Sequence, residues 1–227
     1  MTAKIKLNAA SGGGSFSLQA RSSSSNNRVI TLPDIADGTL LTSQSTLDST
    51  KLSPAITGGK ILQTVTVSDS VRGTSGSVSL SSAGTYYATP FTVTITPSAT
   101  SSKILLMGHV FGEFSIDDYL FMWMIERAIS GGATTDILAP AAGNRARGIS
   151  IPPAGFYVSE NSSTPTVMNF SGLVDSPSTT SAVTYTFQVT STQSSSQTFY
   201  YNRATLDRDI VDDERGLSWI TAQEIAA

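Results

Sequence analysis

The single histidine of the chain, His109, limits the chemistry the sequence can do. Sites built on two imidazole ligands are excluded, and a Ser/His/acid arrangement has one base to draw on. Serines are abundant, but His109 lies inside the apolar run 103–111 (KILLMGHVF), in mid-strand rather than on a loop. No G-x-S-x-G turn presents a serine to it. A structural imidazole is expected, a metal ion on an oligomer axis being the other use for a lone ring. Acidic residues pair as Asp117 with Asp118, and as Asp212 with Asp213 beside Glu214. Flanking carboxylates would serve glycoside hydrolysis or calcium binding. Adjacent residues on a strand point to opposite faces, however, so neither pair is a dyad and solvated turns are expected. The glycine run 12–14 lacks the G-K-[ST] ending of a phosphate-binding loop. No catalytic residue, metal ligand or cofactor is assigned.

Aromatic residues cluster at Tyr86/Tyr87, Phe121/Trp123 and Phe199/Tyr200/Tyr201. Exposed aromatic faces can hold sugars, but core and interface packing is their commoner use. Alternation puts Phe199 and Tyr201 on one face and Tyr200 on the other.

The elements that must position these residues follow from composition and period. Only 14% of the 227 residues are charged and 39% are hydrophobic, so Ser, Thr, Asn and Gly must dominate the surface. Such residues suit short strands and turns better than helices. A formal net charge of −3 gives no reason to expect nucleic acid as a partner. With no cysteine, disulfides and thiolate sites are excluded. No apolar stretch approaches the ~20 residues of a spanning helix, and the Gly/Ser run after residue 7 does not resemble a signal sequence. A soluble protein without membrane insertion is expected.

Residues 1–59 read as an extended arm: brief alternating pieces at 15–19 (SFSLQ) and 28–32 (RVITL), a turn at 33–38 (PDIADG), and little to bury. An isolated two-stranded hairpin is marginal in water, so this segment must order against copies of itself or another protein. From residue 60 to 227 the pattern becomes that of an antiparallel β-sandwich or jelly roll, with strands expected at 62–67, 85–95, 103–114, 119–128, 155–158, 166–173, 183–190, 198–203 and 218–223. The runs 103–111 and 119–125 (YLFMWMI) are apolar on both faces. One face suits the core. The other is expected to meet another subunit, with Leu106, His109, Phe111, Phe121 and Trp123 as interface candidates. Residues 127–153 read as one or two long loops. Together with the stretch 160–165 they offer Asn144, Arg145, Arg147, Glu160 and Asn161 for outward contacts. The charged stretch 206–215 (LDRDIVDDER) reads as an exposed strand or turn.

The run 13–41, GGSFSLQARSSSSNNRVITLPDIADGTLL, resembles a module of tailed-phage fibre proteins. In that module a G-x-x-x-L-x-A-P segment, an S/N-rich turn, an N-R-x-[IF]-T-L-P-D strand and a D-G-T turn precede a knob. Residues 47–62 (LDSTKLSPAITGGKIL) look like the linker that follows it in marine and cyanobacterial phages. Residues 175–203 and 218–225 are similar to their knob. Arg21 departs from the pattern, which has Pro there. The resemblance implies a non-enzymatic homotrimer on the virion exterior, made in the host bacterial cytoplasm. Its arm would dock on capsid or tail proteins through Phe16, Leu18, Val29, Ile30, Leu32, Ile35, Leu40 and Leu41. Its knob would meet the host surface, a glycan among the expected partners. A capsid decoration (head fibre) protein and a carbohydrate-binding module are the alternatives.

Overall fold

A computed structural model describes residues 4–8, 11–13, 15–19, 60–116, 121–153 and 163–227. The chain falls into two units, Met1–Leu47 and Asp48–Ala227. In the first, β1 (Lys4–Asn8) pairs antiparallel with β2 (Ser15–Gln19), from Lys4 opposite Gln19 to Asn8 opposite Ser15. Gly12 and Gly13, with φ of 84° and 69°, lie in the connection, where the left-handed backbone favours glycine. Sequence alternation anticipates β2 but not β1. Arm residues Val29, Ile30, Leu32, Ile35, Leu40 and Leu41 lie outside the described residues.

The second unit is an antiparallel β-sandwich. Its strands are β3 (Ile61–Thr66), β4 (Gly76–Leu80), β5 (Tyr87–Ile95), β6 (Lys103–Phe114), β7 (Phe121–Ile129), β8 (Thr134–Ile137), β9 (Thr166–Asp175), β10 (Val183–Ser191), β11 (Gln197–Tyr201) and β12 (Trp219–Ile225). One four-residue helix, α1 (Asp69–Arg72), follows β3. The smaller sheet runs β5-β10-β7-β8. The larger sheet is organised by the long β6: β9 takes one edge, while β12 and then β11 share the other and carry β3 and β4 outward.

Alternation explains the packing. On β6, Ile104, Leu106, Val110 and Phe114 point inward, and on β10 Val183, Tyr185, Phe187 and Val189 do the same. These residues form one core with Phe91, Val93 and Ile95 of β5 and with Phe121, Trp123 and Ile125 of β7. Each large apolar side chain removed from water stabilises the fold by roughly 1.5–3 kcal/mol. Glycines admit the largest rings: a Cβ on Gly108 would collide with the Phe170 ring, and one on Gly112 with the Tyr200 carbonyl oxygen.

Three expectations are corrected. Leu106, Phe121 and Trp123 are 0%, 1% and 2% exposed in the core of the single chain and have no surface to offer a second subunit. The segment 127–153 is not all loop, because β7 continues to Ile129 and turns through Gly131 (φ 70°) into β8. Past β8 the chain returns alongside β7, where the Ile149 amide donates to the Trp123 carbonyl (2.8 Å) and the Trp123 amide to the Ser150 carbonyl (3.1 Å). Finally, the second apolar face of β7 is finished by the chain itself. Met124 is 2% exposed, and Tyr86 reaches from beyond β10 to donate to the Arg147 carbonyl. The expected strand at 155–158 lies outside the described residues.

Candidate functional site

The outer face of the larger sheet differs from that of the smaller one. Leu105, Met107, His109 and Phe111 alternate outward along β6 and are only half-buried. Trp219 of β12 stands directly opposite His109, and Asn169 of β9 opposite it on the other edge. The Trp219 and His109 rings are nearly parallel, 7° apart with centroids 6.1 Å from one another. Nδ1 of His109 donates to Oδ1 of Asn169 at 2.9 Å. His109 is thus held by an aromatic neighbour and an amide, with no carboxylate among these contacts.

β9 is irregular here. Leu106 pairs with Leu173 and Gly108 with Phe170, so Ser171 and Gly172 together oppose Met107. Gly172 adopts φ 74°, the left-handed conformation that a bulge of this kind requires. The bulge keeps Ser171 exposed while Phe170 turns inward against Trp123 and Phe187. A shallow depression of about 280 Å³ results, lined by Met107, Gly108, Asn169, Phe170, Ser171 and Trp219. Trp219 is 36% exposed. None of the six lining residues is ionisable.

The remaining polar clusters serve structure. Asp175 of β9 accepts two bonds from Arg127 of β7 (2.9 and 3.2 Å) and one from Tyr185 of β10 (2.8 Å), which ties the two sheets together. Burial first, and then the Asp175 acceptor and its charge, push the Tyr185 phenol far above its usual range. Glu113 is buried on β6 and accepts from the Thr164 amide (3.1 Å) and the Thr205 amide (2.7 Å). Asn202, at φ 59°, donates to the carbonyls of Arg72 and Thr74 (2.8 Å each) and accepts from Ser218 Oγ (2.5 Å). The acidic turn is internally paired: Arg208 binds Asp213 at 2.7 Å and Arg215 binds Asp207 at 2.5 Å. The Arg208 bond holds the Asp213 carboxyl below its ordinary value. Asp117 and Asp118 lie outside the described residues.

Of the interface candidates, His109 and Phe111 lie on the outer face. Asn144, Arg145 and Arg147 are exposed, and the two arginines donate to the carbonyls of Ala142 (3.0 Å) and Ala139 (3.4 Å) in their own loop. Glu160 and Asn161 lie outside the described residues. Phe16 and Leu18 fall in β2. Phe199 and Tyr201 face the core as alternation requires, while Tyr200 faces away with the Arg203 guanidinium 4.4 Å from its ring centre. Sequence reasoning misses Met107, Asn169, Ser171 and Trp219 as a group because they come from three strands. The available signal is Gly172 inside a strand pattern, which marks a bulge.

No family model and no curated protein matches the chain. Among solved structures it is similar to a chain of the structure of infectious bursal disease virus Gt strain, at 16% identity with a TM-score of 0.36 over 95% of this chain. The matched part is about half, 48%, of that chain's length.

Proposed function

We propose that the protein is a non-enzymatic structural component of a tailed-phage virion, a homotrimeric fibre attached by its N-terminal arm with the sandwich directed outward to the host surface. The observation that carries this reading is the division of the chain into a small N-terminal unit, whose described part is two five-residue strands, and a large sandwich with its own core. A pair of five-residue strands is marginal in water by itself, which supports reading the first unit as an arm that orders against a partner. The fibre-module resemblance of residues 13–41 supplies the class of partner. Tail and capsid locations share this logic and differ in copy number.

The test is antibody labelling and quantification on purified particles, together with the mass of the isolated chain by light scattering. A trimeric mass, with labelling lost when Phe16 and Leu18 are both replaced by Asp, is expected. Hundreds of copies per particle would assign the protein to capsid decoration instead. A monomeric mass at micromolar concentration, or absence from particles, would refute the proposal.

A further inference from the structure

We infer that the depression on the outer face of the larger sheet, between Trp219, Met107 and the β9 bulge, binds a neutral saccharide. This rests on the reading of the sandwich as the end that meets a host surface, but its test does not depend on particles. The lining selects the ligand class. Trp219 and Met107 supply apolar surface suited to the C–H face of a pyranose ring. Asn169 and Ser171 supply an amide and a hydroxyl at the rim, the two group types that pair with sugar hydroxyls. No lining residue is ionisable, so a charged ligand would lose its hydration without a counter-charge.

The Asn169 amide is oriented in advance. Its Oδ1 is taken by His109 Nδ1, and its Nδ2 makes no hydrogen bond to the described residues, so two donors remain for a ligand. His109 is in turn held parallel to Trp219. The imidazole therefore acts as a positioning residue that fixes the amide relative to the aromatic wall. The bulge at Ser171 and Gly172 opens the site, since a regular β9 would carry a single residue opposite Met107. Bulges recur where a strand must re-aim a side chain at a site. A volume of about 280 Å³ accommodates one or two sugar rings, and the shallow contact implies affinity in the roughly millimolar range for a single ring.

Tryptophan emission provides a direct readout, because the chain has two tryptophans and the other, Trp123, is 2% exposed in the core. The full-length chain is titrated with the methyl glycosides of glucose, galactose, mannose and N-acetylglucosamine, and saturation-transfer NMR records which protons touch the protein. A saturable emission shift with at least one glycoside is expected. In Trp219→Ala, which lacks the reporter, the saturation-transfer signal should be lost, and the affinity read from emission should be weakened about tenfold in Asn169→Ala and Ser171→Ala. His109→Ala should weaken binding less than Asn169→Ala, and His109→Gln should restore part of it by offering an amide donor to Asn169. Ser171 is exposed, so its variant stays informative if Trp219→Ala fails to fold. No saturable response to any of the four sugars would overturn the inference, as would a response that persists with both rim variants. A Trp219→Ala change in oligomer mass without any sugar response would assign the face to contacts between copies instead. Particle labelling is unaffected by any of these results, so failure here and failure of the virion reading are separable.

Discussion

Replacing Glu224 by Gln should destabilise the sandwich in a manner that depends steeply on pH. Glu224 is 0% exposed, on the inner side of β12. Its Oε1 accepts from the Ser98 amide (2.7 Å), Ser98 Oγ (2.6 Å) and Ser102 Oγ (2.7 Å), and its Oε2 from Gln63 Nε2 (2.6 Å). Burial alone would push this carboxyl up, but the donors of Ser98, Ser102 and Gln63 outweigh it and hold the pKa at about 2, against an ordinary value of 4.5. A depressed carboxyl stabilises the folded state fully above the unfolded pKa and loses that contribution as pH falls through the folded pKa. The gap corresponds to about 3 kcal/mol, present above about pH 4.5 and fading toward pH 2. Glutamine keeps the shape but turns an amide toward donors that need an acceptor. At pH 7 the variant should therefore lose about 3 kcal/mol, or roughly 5–10 °C in melting temperature for a domain of this size. Urea unfolding of both proteins at half-unit steps from pH 2 to pH 7 measures the difference, in which the other titrating groups cancel to first order. A difference that stays constant across this range would show that the ionised carboxylate is not what the four donors recognise.

Asp175→Ala removes the acceptor shared by Arg127 and Tyr185 and leaves the Arg127 charge largely buried between the sheets, so a loss of about 3–5 kcal/mol in chemical denaturation is expected. In the unmodified protein, ultraviolet titration should find Tyr185 still protonated where ordinary tyrosines have ionised, and Tyr86 ionising near pH 12, pushed up by burial and by the Asp136 charge against the opposing effect of Arg147. Gly112→Ala should abolish the fold, because the collision is with the Tyr200 backbone, whereas Gly108→Ala meets only the Phe170 ring and should cost less. Asn202→Gly keeps the left-handed backbone but deletes the bonds to Arg72, Thr74 and Ser218, so it should lose about 2–3 kcal/mol, with Asn202→Ala lower still by thermal melting.

The strands that sequence reveals are those whose alternation buries large residues. β5, β6, β9 and β10 follow from period alone, since Phe91, Leu106, Met168 and Phe187 fall on the inward parity. β4 (GSVSL) and β8 (TTDI) escape notice because backbone pairing with β11 and β7 defines them more than side-chain burial does. Two-sided apolarity in β7 signals a second cover correctly, but which atoms provide it depends on contacts such as Tyr86 with Arg147, 61 residues apart. The depression is less legible still. Trp219, Met107 and Asn169 are brought together by the register of three strands and by one bulge, and register is not recoverable from local pattern.

The two outer faces differ in what they offer to a second copy of the chain. On the smaller sheet Tyr86 reaches across to the Arg147 carbonyl, whereas the outer face of the larger sheet leaves Leu105, Met107, His109, Phe111 and Trp219 at least partly exposed. Amides and hydroxyls interrupt it at Asn169, Ser171, Thr221 and Gln223, whereas the buried centre of a permanent subunit interface is more uniformly apolar. If copies nevertheless associate through this face, sugar and subunit compete for Trp219, and the apparent sugar affinity must fall as protein concentration rises through the association range. If copies associate through another surface, the affinity is independent of concentration while the mass still reports the assembly. Emission titrations at two protein concentrations a hundredfold apart, each paired with a mass measurement, separate the two cases. A concentration-dependent affinity would move Trp219 from recognition to assembly.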